Sequence, residues 1–147
     1  MPQIERSALV FYSAQQMFAL VNAVPDYPQF LPGCSAAKVI SQTDTEMVAA
    51  LTVSKAGLSH TFTTRNTLTP FQQIDMQLVD GPFKRLSGGW AFQPLNDKAC
   101  KVVLNLEFEF SNKLIQLAFG KVFNELAASM VTAFTQRAKQ VYGAPDV

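Results

Sequence analysis

From residue 3 to residue 10 polar and apolar side chains alternate and end in Leu9-Val10-Phe11, the period of a β-strand. The period then lengthens. Ser13-Ala14-Gln15-Gln16 has the form of a capping box, in which the serine hydroxyl accepts from a backbone N–H three residues on while Gln16 reaches back. Met17, Phe18, Leu20 and Val21 add an apolar stripe, so the spacing predicts a short helix that stops before Pro25. Asp26-Tyr27-Pro28-Gln29-Phe30-Leu31 predicts a further helical turn or two, closed by Pro32-Gly33. The two pieces read as a helical lid or hinge between strands.

From about residue 35 to residue 110 the period returns to two. Met47, Ala49, Leu51 and Val53 alternate with more polar neighbours. Leu58, Phe62 and Leu68 share a parity with His60, Thr64 and Asn66, and Ile74, Met76 and Leu78 face away from Asp75 and Gln77. Cys100, Val102, Leu104, Leu106, Phe108 and Phe110 form the longest row, opposite Lys101, Val103, Asn105, Glu107 and Glu109. One buried and one wet face is the mark of an antiparallel sheet. Turn signals at Asp44, Ala56-Gly57, Thr69-Pro70, Gly81-Pro82 and Asn96-Asp97 divide it into about six to seven strands joined by simple hairpins. Within one strand, Gly88-Gly89 gives up packing and rigidity. Such a pair marks a bulge or a sharp coil, and it makes room beside Trp90.

Ser111 or Asn112 then caps a helix running to about Tyr142, with Gly143 as its stop and Pro145 beyond. Its length is about 45 Å at 1.5 Å per residue, enough to cross a sheet. Phe119, Phe123, Leu126, Met130, Phe134, Ala138 and Val141 recur every three or four positions, and Ile115, Val122, Ala127 and Val131 widen the stripe. So broad a face needs a concave partner. The expected architecture is therefore α+β, a curved antiparallel sheet wrapped around a long C-terminal helix, with two short helices after the first strand. Gly120 inside that helix sacrifices about 1 kcal/mol against alanine, which a kink or a close backbone approach would offset. One domain spans 1–143 and a tail 144–147, with no internal repeat.

Composition sharpens this outline. Hydrophobic residues make up 48% of the 147 and charged residues 16%, against the roughly 25% charged residues of an ordinary soluble domain. Twelve phenylalanines and five methionines exceed what a small core needs, which favours a cavity, and methionine tolerates variable occupants. A formal charge of +1 gives no broad electrostatic reason to bind DNA. The N-terminus has neither a secretory signal nor an organelle transit pattern, and no run of 18 uninterrupted apolar residues occurs, so the chain is expected to stay in the compartment where it is made. Cys34 and Cys100 suit reduced thiols.

Catalytic chemistry finds little to build on. His60 is the single histidine, with no metal-spaced partner, and a core-edge role suits it better than that of a ligand or base. Ser54, Ser59 and Ser87 lie in no nucleophile elbow, and Gly88-Gly89 is followed by no phosphate-cradling helix. Glu107 and Glu109 occupy a polar face, where they pair with residues such as Lys84 or Lys101. No catalytic residue, metal site or required cofactor is expected.

Four segments carry a resemblance over nearly the whole chain: Val24-Pro25-Asp26-Tyr27-Pro28-Gln29-Phe30-Leu31-Pro32-Gly33-Cys34, Asp80-Gly81-Pro82-Phe83-Lys84-Arg85-Leu86, Gly89-Trp90-Ala91-Phe92 and Phe108-Glu109-Phe110-Ser111. In this order the chain resembles the coenzyme Q-binding protein family, whose bacterial branch is also called the ribosome-association toxin family, within the START-like polyketide cyclase and lipid-transport superfamily. The resemblance implies a helix-grip fold and two functions. One is a non-catalytic carrier of ubiquinone or a related isoprenoid lipid that supports respiration or quinone biosynthesis. The other is a toxin that binds the large ribosomal subunit and blocks subunit joining. A cyclase-type enzyme, drawing on His60, Thr64, Asn66 and Arg65, rests on fold analogy alone.

The carrier reading comes first, with Trp90, Phe92, Leu106, Phe108, Phe123, Leu126, Met130, Phe134, Phe62 and Met76 expected to face an apolar tunnel. Its mouth is expected at Phe30, Leu31, Pro32, Gly81, Pro82 and Phe83. For the ribosomal reading, Lys84, Arg85, Lys113 and Lys121 are the candidate contacts. The N-terminus and the unpaired cysteines lead to the expectation of a cytoplasmic protein, at most peripheral to the inner membrane through transient surface contact.

Overall fold

Every alternating segment of the chain becomes a strand in the computed structural model, which describes residues 3–55 and 57–144. The strands are β1 (Gln3–Val10), β2 (Cys34–Gln42), β3 (Glu46–Lys55), β4 (Leu58–Thr69), β5 (Gln73–Asp80), β6 (Phe83–Asn96) and β7 (Ala99–Phe110). They form one antiparallel sheet in the order β1-β7-β6-β5-β4-β3-β2. Hairpins link β2 through β7 in succession. β1 returns to the far edge, Gln3 opposite Glu107 and Val10 opposite Cys100. Ala56 of the Ala56-Gly57 turn signal, Pro145 and the rest of the expected tail lie outside the described residues, apart from Ala144.

Between β1 and β2 the chain makes α1 (Ala14–Asn22), opened by the expected capping box: the Gln16 backbone N–H donates to Ser13 Oγ at 3.0 Å and the Ser13 N–H to Gln16 Oε1 at 2.9 Å. The following piece is a 3-10 helix, Val24–Gln29, starting earlier than the pattern indicates. Pro25 and Pro28 have no N–H to give to an α-helical ladder, so only tight turns survive there.

The last helix, α2 (Lys113–Tyr142), is capped by Asn112, whose Oδ1 accepts from the Ile115 N–H at 2.9 Å. It ends at Gly143, where φ is 83°. Phe119, Phe123, Leu126, Ala127, Met130, Val131, Phe134 and Ala138 are buried against the concave face of the sheet. Val141 is the exception at 49% exposed; the last turn is tied to α1 by the Tyr142 hydroxyl donating to Gln16 O and to the loop before α1 by the Tyr12 hydroxyl donating to Gly143 O. By length and composition α2 would pass for a membrane span, but a core helix meets the same test.

The row from Cys100 to Phe110 is buried throughout, while alternation weakens towards the β2 edge: Leu58 is 41% exposed and Leu51 and Met76 are half-buried. Curvature is set in the middle of the sheet. Both ladders run without a register shift through Gly88 and Gly89, so the pair marks a coil and not a bulge; the irregularities lie at the ends of β6, at Phe83/Arg85 and Pro94/Asn96. A Cβ on Gly88 would stand 2.0 Å from Asn105 O, and one on Gly89 2.2 Å from Ile74 O. Gly88 also has φ of 137°, a conformation that L side chains rarely adopt.

Gly120 is different. A Cβ there would make ordinary contact, 3.5 Å from the Phe110 ring, so neither a kink nor a close backbone approach requires glycine. Gly120→Ala is therefore expected to stabilise the fold by about 0.5–1 kcal/mol, and Gly88→Ala to destabilise it by about 3 kcal/mol from overpacking and backbone strain together. Urea unfolding of the two variants checks both signs; a Gly88→Ala protein as stable as the parent contradicts the coil.

Candidate functional site

Sheet curvature and the breadth of α2 leave a hollow between them. Its wall is Ala49 and Leu51 of β3, Phe62, Thr64 and Asn66 of β4, Met76 of β5, Leu86 and Trp90 of β6 and Leu106 of β7. Val24 and Tyr27 of the 3-10 helix and Phe123, Leu126, Ala127 and Met130 of α2 close it. Its volume is about 50 Å³, far below the roughly 300–1,000 Å³ of ordinary ligand pockets. Seven of the ten residues expected to face a tunnel line it: Phe62, Met76, Trp90, Leu106, Phe123, Leu126 and Met130.

Phe92, Phe108 and Phe134 do not. Phe134 is spent on aromatic edges, 5.3 Å from Tyr27, 5.1 Å from Phe30 and 5.3 Å from Trp90 between ring centres. Phe92 packs on Phe18 and Trp90, and Phe108 on Phe83, Phe110 and Phe123. Parity along a strand says which side of the sheet a ring faces, and not whether another ring already fills the space.

The expected mouth is similarly occupied. Leu31, Pro82 and Phe83 are buried, and Phe83 lies in a cluster with Phe62, Phe108, Phe110, Phe119 and Phe123. The Gly81-Pro82 turn is anchored by the Ser111 N–H donating to Pro82 O at 3.0 Å. Phe30 packs on Phe134 with the Arg137 guanidinium 5.0 Å above its ring. Of the six, Pro32 alone borders an open groove, which runs past Gly33, Ser54, Lys55, Val122, Glu125 and Ser129 and reaches Leu126, a residue of the hollow's own wall. Lys55 Nζ and Glu125 Oε2 join across it at 2.7 Å. That hydrogen bond, with the lysine charge after it, holds the Glu125 carboxyl below its ordinary value.

Inside the hollow polar groups are few. The Tyr27 hydroxyl donates to Val21 O, and burial raises its pKa well above the usual phenol range. Thr64 and Asn66, 7% and 8% exposed, are joined by the threonine hydroxyl donating to Asn66 Oδ1 at 2.8 Å. The pattern that found Phe62 places both on the same inward parity. His60 and Arg65 do not join them: the His60 ring tilts against Phe119 at 4.7 Å, and Arg65 faces outward to Glu46 at 3.4 Å. Burial pushes both thiols up, Cys100 to about 11, so neither offers a thiolate near neutral pH. Among the described residues no three His, Cys, Asp or Glu side chains gather in a way that could hold a metal.

Outside, Lys84 and Arg85 both reach Glu109, each at 3.6 Å, which offsets part of their charge. Lys113 and Lys121 are exposed on the first turns of α2.

A bent antiparallel sheet gripping a C-terminal helix around an apolar hollow defines a START-like, helix-grip protein. The chain belongs to the polyketide cyclase/dehydrase and lipid transport family, whose model matches residues 10–135. It is 65% identical over 143 residues to the ribosome association toxin RatA of Vibrio cholerae, an alignment covering 97% of this chain and 99% of that one. The mitochondrial coenzyme Q-binding protein COQ10 homolog B of Xenopus laevis is 28% identical over 149 residues, 99% of this chain and 61% of that one. Among solved structures, the Zhui aromatase/cyclase of Streptomyces sp. R1128 superposes with a TM-score of 0.84 at 18% identity, covering 99% of this chain and 98% of that one, which speaks for the fold alone.

The groove contact is open to direct test. In a carbon-detected pH titration, Lys55→Met is expected to return the Glu125 carboxyl toward its ordinary 4.5. Because the pairing lowers that pKa, whatever it adds to stability is present above the ordinary glutamate range and fades as pH falls through the lowered value. An unmoved Glu125 would show that the pair does not form in solution.

Proposed function

We propose that this protein associates with ribosomes and acts by binding rather than by catalysis. The reading rests on the 65% identity, over essentially the full length of both chains, to a ribosome association toxin. The small size of the hollow also favours a surface-mediated role, since at about 50 Å³ it leaves no ready space for a cargo. The large subunit is the partner that the family resemblance implies.

We assign the contact to Lys113 and Lys121, exposed on α2, rather than to Lys84 and Arg85, which share Glu109; Lys121 is close enough to Glu125 to help lower its pKa but makes no salt bridge to it. With a net charge of only +1 the contact is local, not a broad basic face. Co-sedimentation with isolated large subunits, small subunits and whole ribosomes is the test. Association with large subunits that weakens as salt rises, and falls about tenfold in Lys113→Glu/Lys121→Glu, is the expected result, since phosphate contacts carry the salt dependence. No association at low salt overturns the reading.

A second reading has its own observation, the apolar hollow with Met76 and Met130 in its wall. A family relative is named as a coenzyme Q-binding protein, and flexible methionines can yield to an occupant. We propose that the hollow opens along the Pro32–Glu125 groove to admit an apolar ligand, a quinone or a related isoprenoid lipid. Organic extraction of the native protein from its own host, followed by mass spectrometry, is expected to release such a molecule in near-stoichiometric amount. Recovery no greater than from a heat-denatured control sinks this reading.

A further inference from the structure

The Thr64–Asn66 pair fits neither a packed core nor a purely greasy pocket. The two side chains stand two residues apart on β4, so strand alternation turns both inward, and their surroundings in the hollow are almost entirely hydrocarbon and aromatic. Thr64 Oγ1 donates to Asn66 Oδ1 at 2.8 Å, which uses the hydroxyl hydrogen and one lone pair of the amide oxygen. The amide nitrogen, with two hydrogens to give, has no hydrogen-bond partner among the described residues, although Asn66 is 8% exposed. Among the described residues no side-chain nitrogen or oxygen that is sealed from solvent lacks a partner, so this nitrogen lies within reach of a water-sized molecule. Asn66 lines the hollow, and the hollow is where such a molecule would sit.

An amide donor left open in an apolar site is unfavourable unless something accepts from it, and a valine–leucine pair would fill the same volume without that demand. The wall carries no cation and no carboxylate; besides Asn66 its side-chain donors are Thr64, given to Asn66, Tyr27, committed to Val21 O, and the indole N–H of Trp90, which has no threonine neighbour to orient it. A charged head group therefore finds no counter-ion. A neutral oxygen acceptor finds a donor already held in place by its threonine neighbour.

We infer that Asn66, oriented by Thr64, is the polar recognition point of the hollow, and that it selects apolar molecules bearing a carbonyl oxygen, as in a ketone or quinone, over hydrocarbons of the same shape. This rests on the second reading above. The Asn66 amide donates to the carbonyl, while Met76 and Met130 adjust around the apolar body.

Butyrophenone and butylbenzene differ by one carbonyl in place of a methylene, and form the probe pair. Affinities are read from shifts of the Met76 and Met130 methyl resonances. The ketone's advantage over the hydrocarbon is expected to fall about tenfold in Asn66→Leu, with butylbenzene binding retained or improved, the scale of one buried hydrogen bond. Should Asn66→Leu fold poorly, Thr64→Val/Asn66→Leu removes both partners at little stability cost and is expected to show the same loss. In the wild-type protein, the Asn66 side-chain amide resonances are expected to move with butyrophenone and not with butylbenzene. An unchanged ratio in the variants, or an amide pair indifferent to the ketone, overturns the assignment and leaves Thr64–Asn66 as a hydrated structural pair. If neither probe binds the wild-type protein, the apolar-ligand reading fails and this inference falls with it.

Discussion

Where β6 crosses the middle of the sheet, its backbone lies so close to its neighbours that a single methyl group on Gly88 or Gly89 would collide with the carbonyl oxygen of Asn105 or Ile74. That approach lets the strands coil, and the coil makes the concave face. Into that face α2 lays a stripe from Phe119 to Ala138, nearly all of it buried. Hydrophobic burial of this kind, at roughly 25 cal/mol per Å² of apolar surface, is what holds helix and sheet together. The hollow is a by-product of the same geometry, since a broad helix and a curved sheet do not fit without remainder.

The remainder is smaller than the composition suggests. Phenylalanines in such number can line a cavity or fill one, and here most of them fill. Phe83, Phe108, Phe110, Phe119 and Phe123 contact one another edge-on or stacked around the N-terminal half of α2, and Phe30, Phe92 and Phe134 close around Trp90 and Tyr27 at the other end. Edge-to-face rings are favourable beyond their buried area, so the packed arrangement is a stable one. An occupant has to displace part of it or open the groove beside Pro32, where Leu126 is the shared wall and Lys55–Glu125 the link across.

The two proposed readings divide along the same line between inside and outside. The interior offers an apolar surface with few polar groups, the Asn66 amide among them; the exterior offers scattered cations, several already paired with carboxylates. High identity to a ribosome association toxin bears on the exterior, and the more distant coenzyme Q-binding relative bears on the interior. The two proposed readings call on different residues, because Lys113 and Lys121 are exposed on α2 while Phe123 and Met130 of the same helix face inward.

Particular residues show how far the chain can be read without its fold. Alternation identified the inward row of β7 and the inward parity of Thr64 and Asn66, and the Ser-x-x-Gln spacing the capping box at Ser13; each depends on neighbours within a few positions, where backbone geometry dictates direction. The same local logic placed the end of α2 at Gly143 and its cap at Ser111 or Asn112, of which Asn112 is used. It failed for Phe92, Phe108 and Phe134, which face the expected side yet meet other rings, and for Phe83 and Pro82, which plug what was expected to be a mouth. It also could not see that Lys84 and Arg85 share one carboxylate, or that Lys55 meets Glu125 from 70 residues away. The direction of a side chain is a property of its own strand or helix, so the sequence determined the sheet, the helix and their facing sides. Whether the space between them stays open depends on how distant side chains divide one volume, and only the tertiary structure decided that.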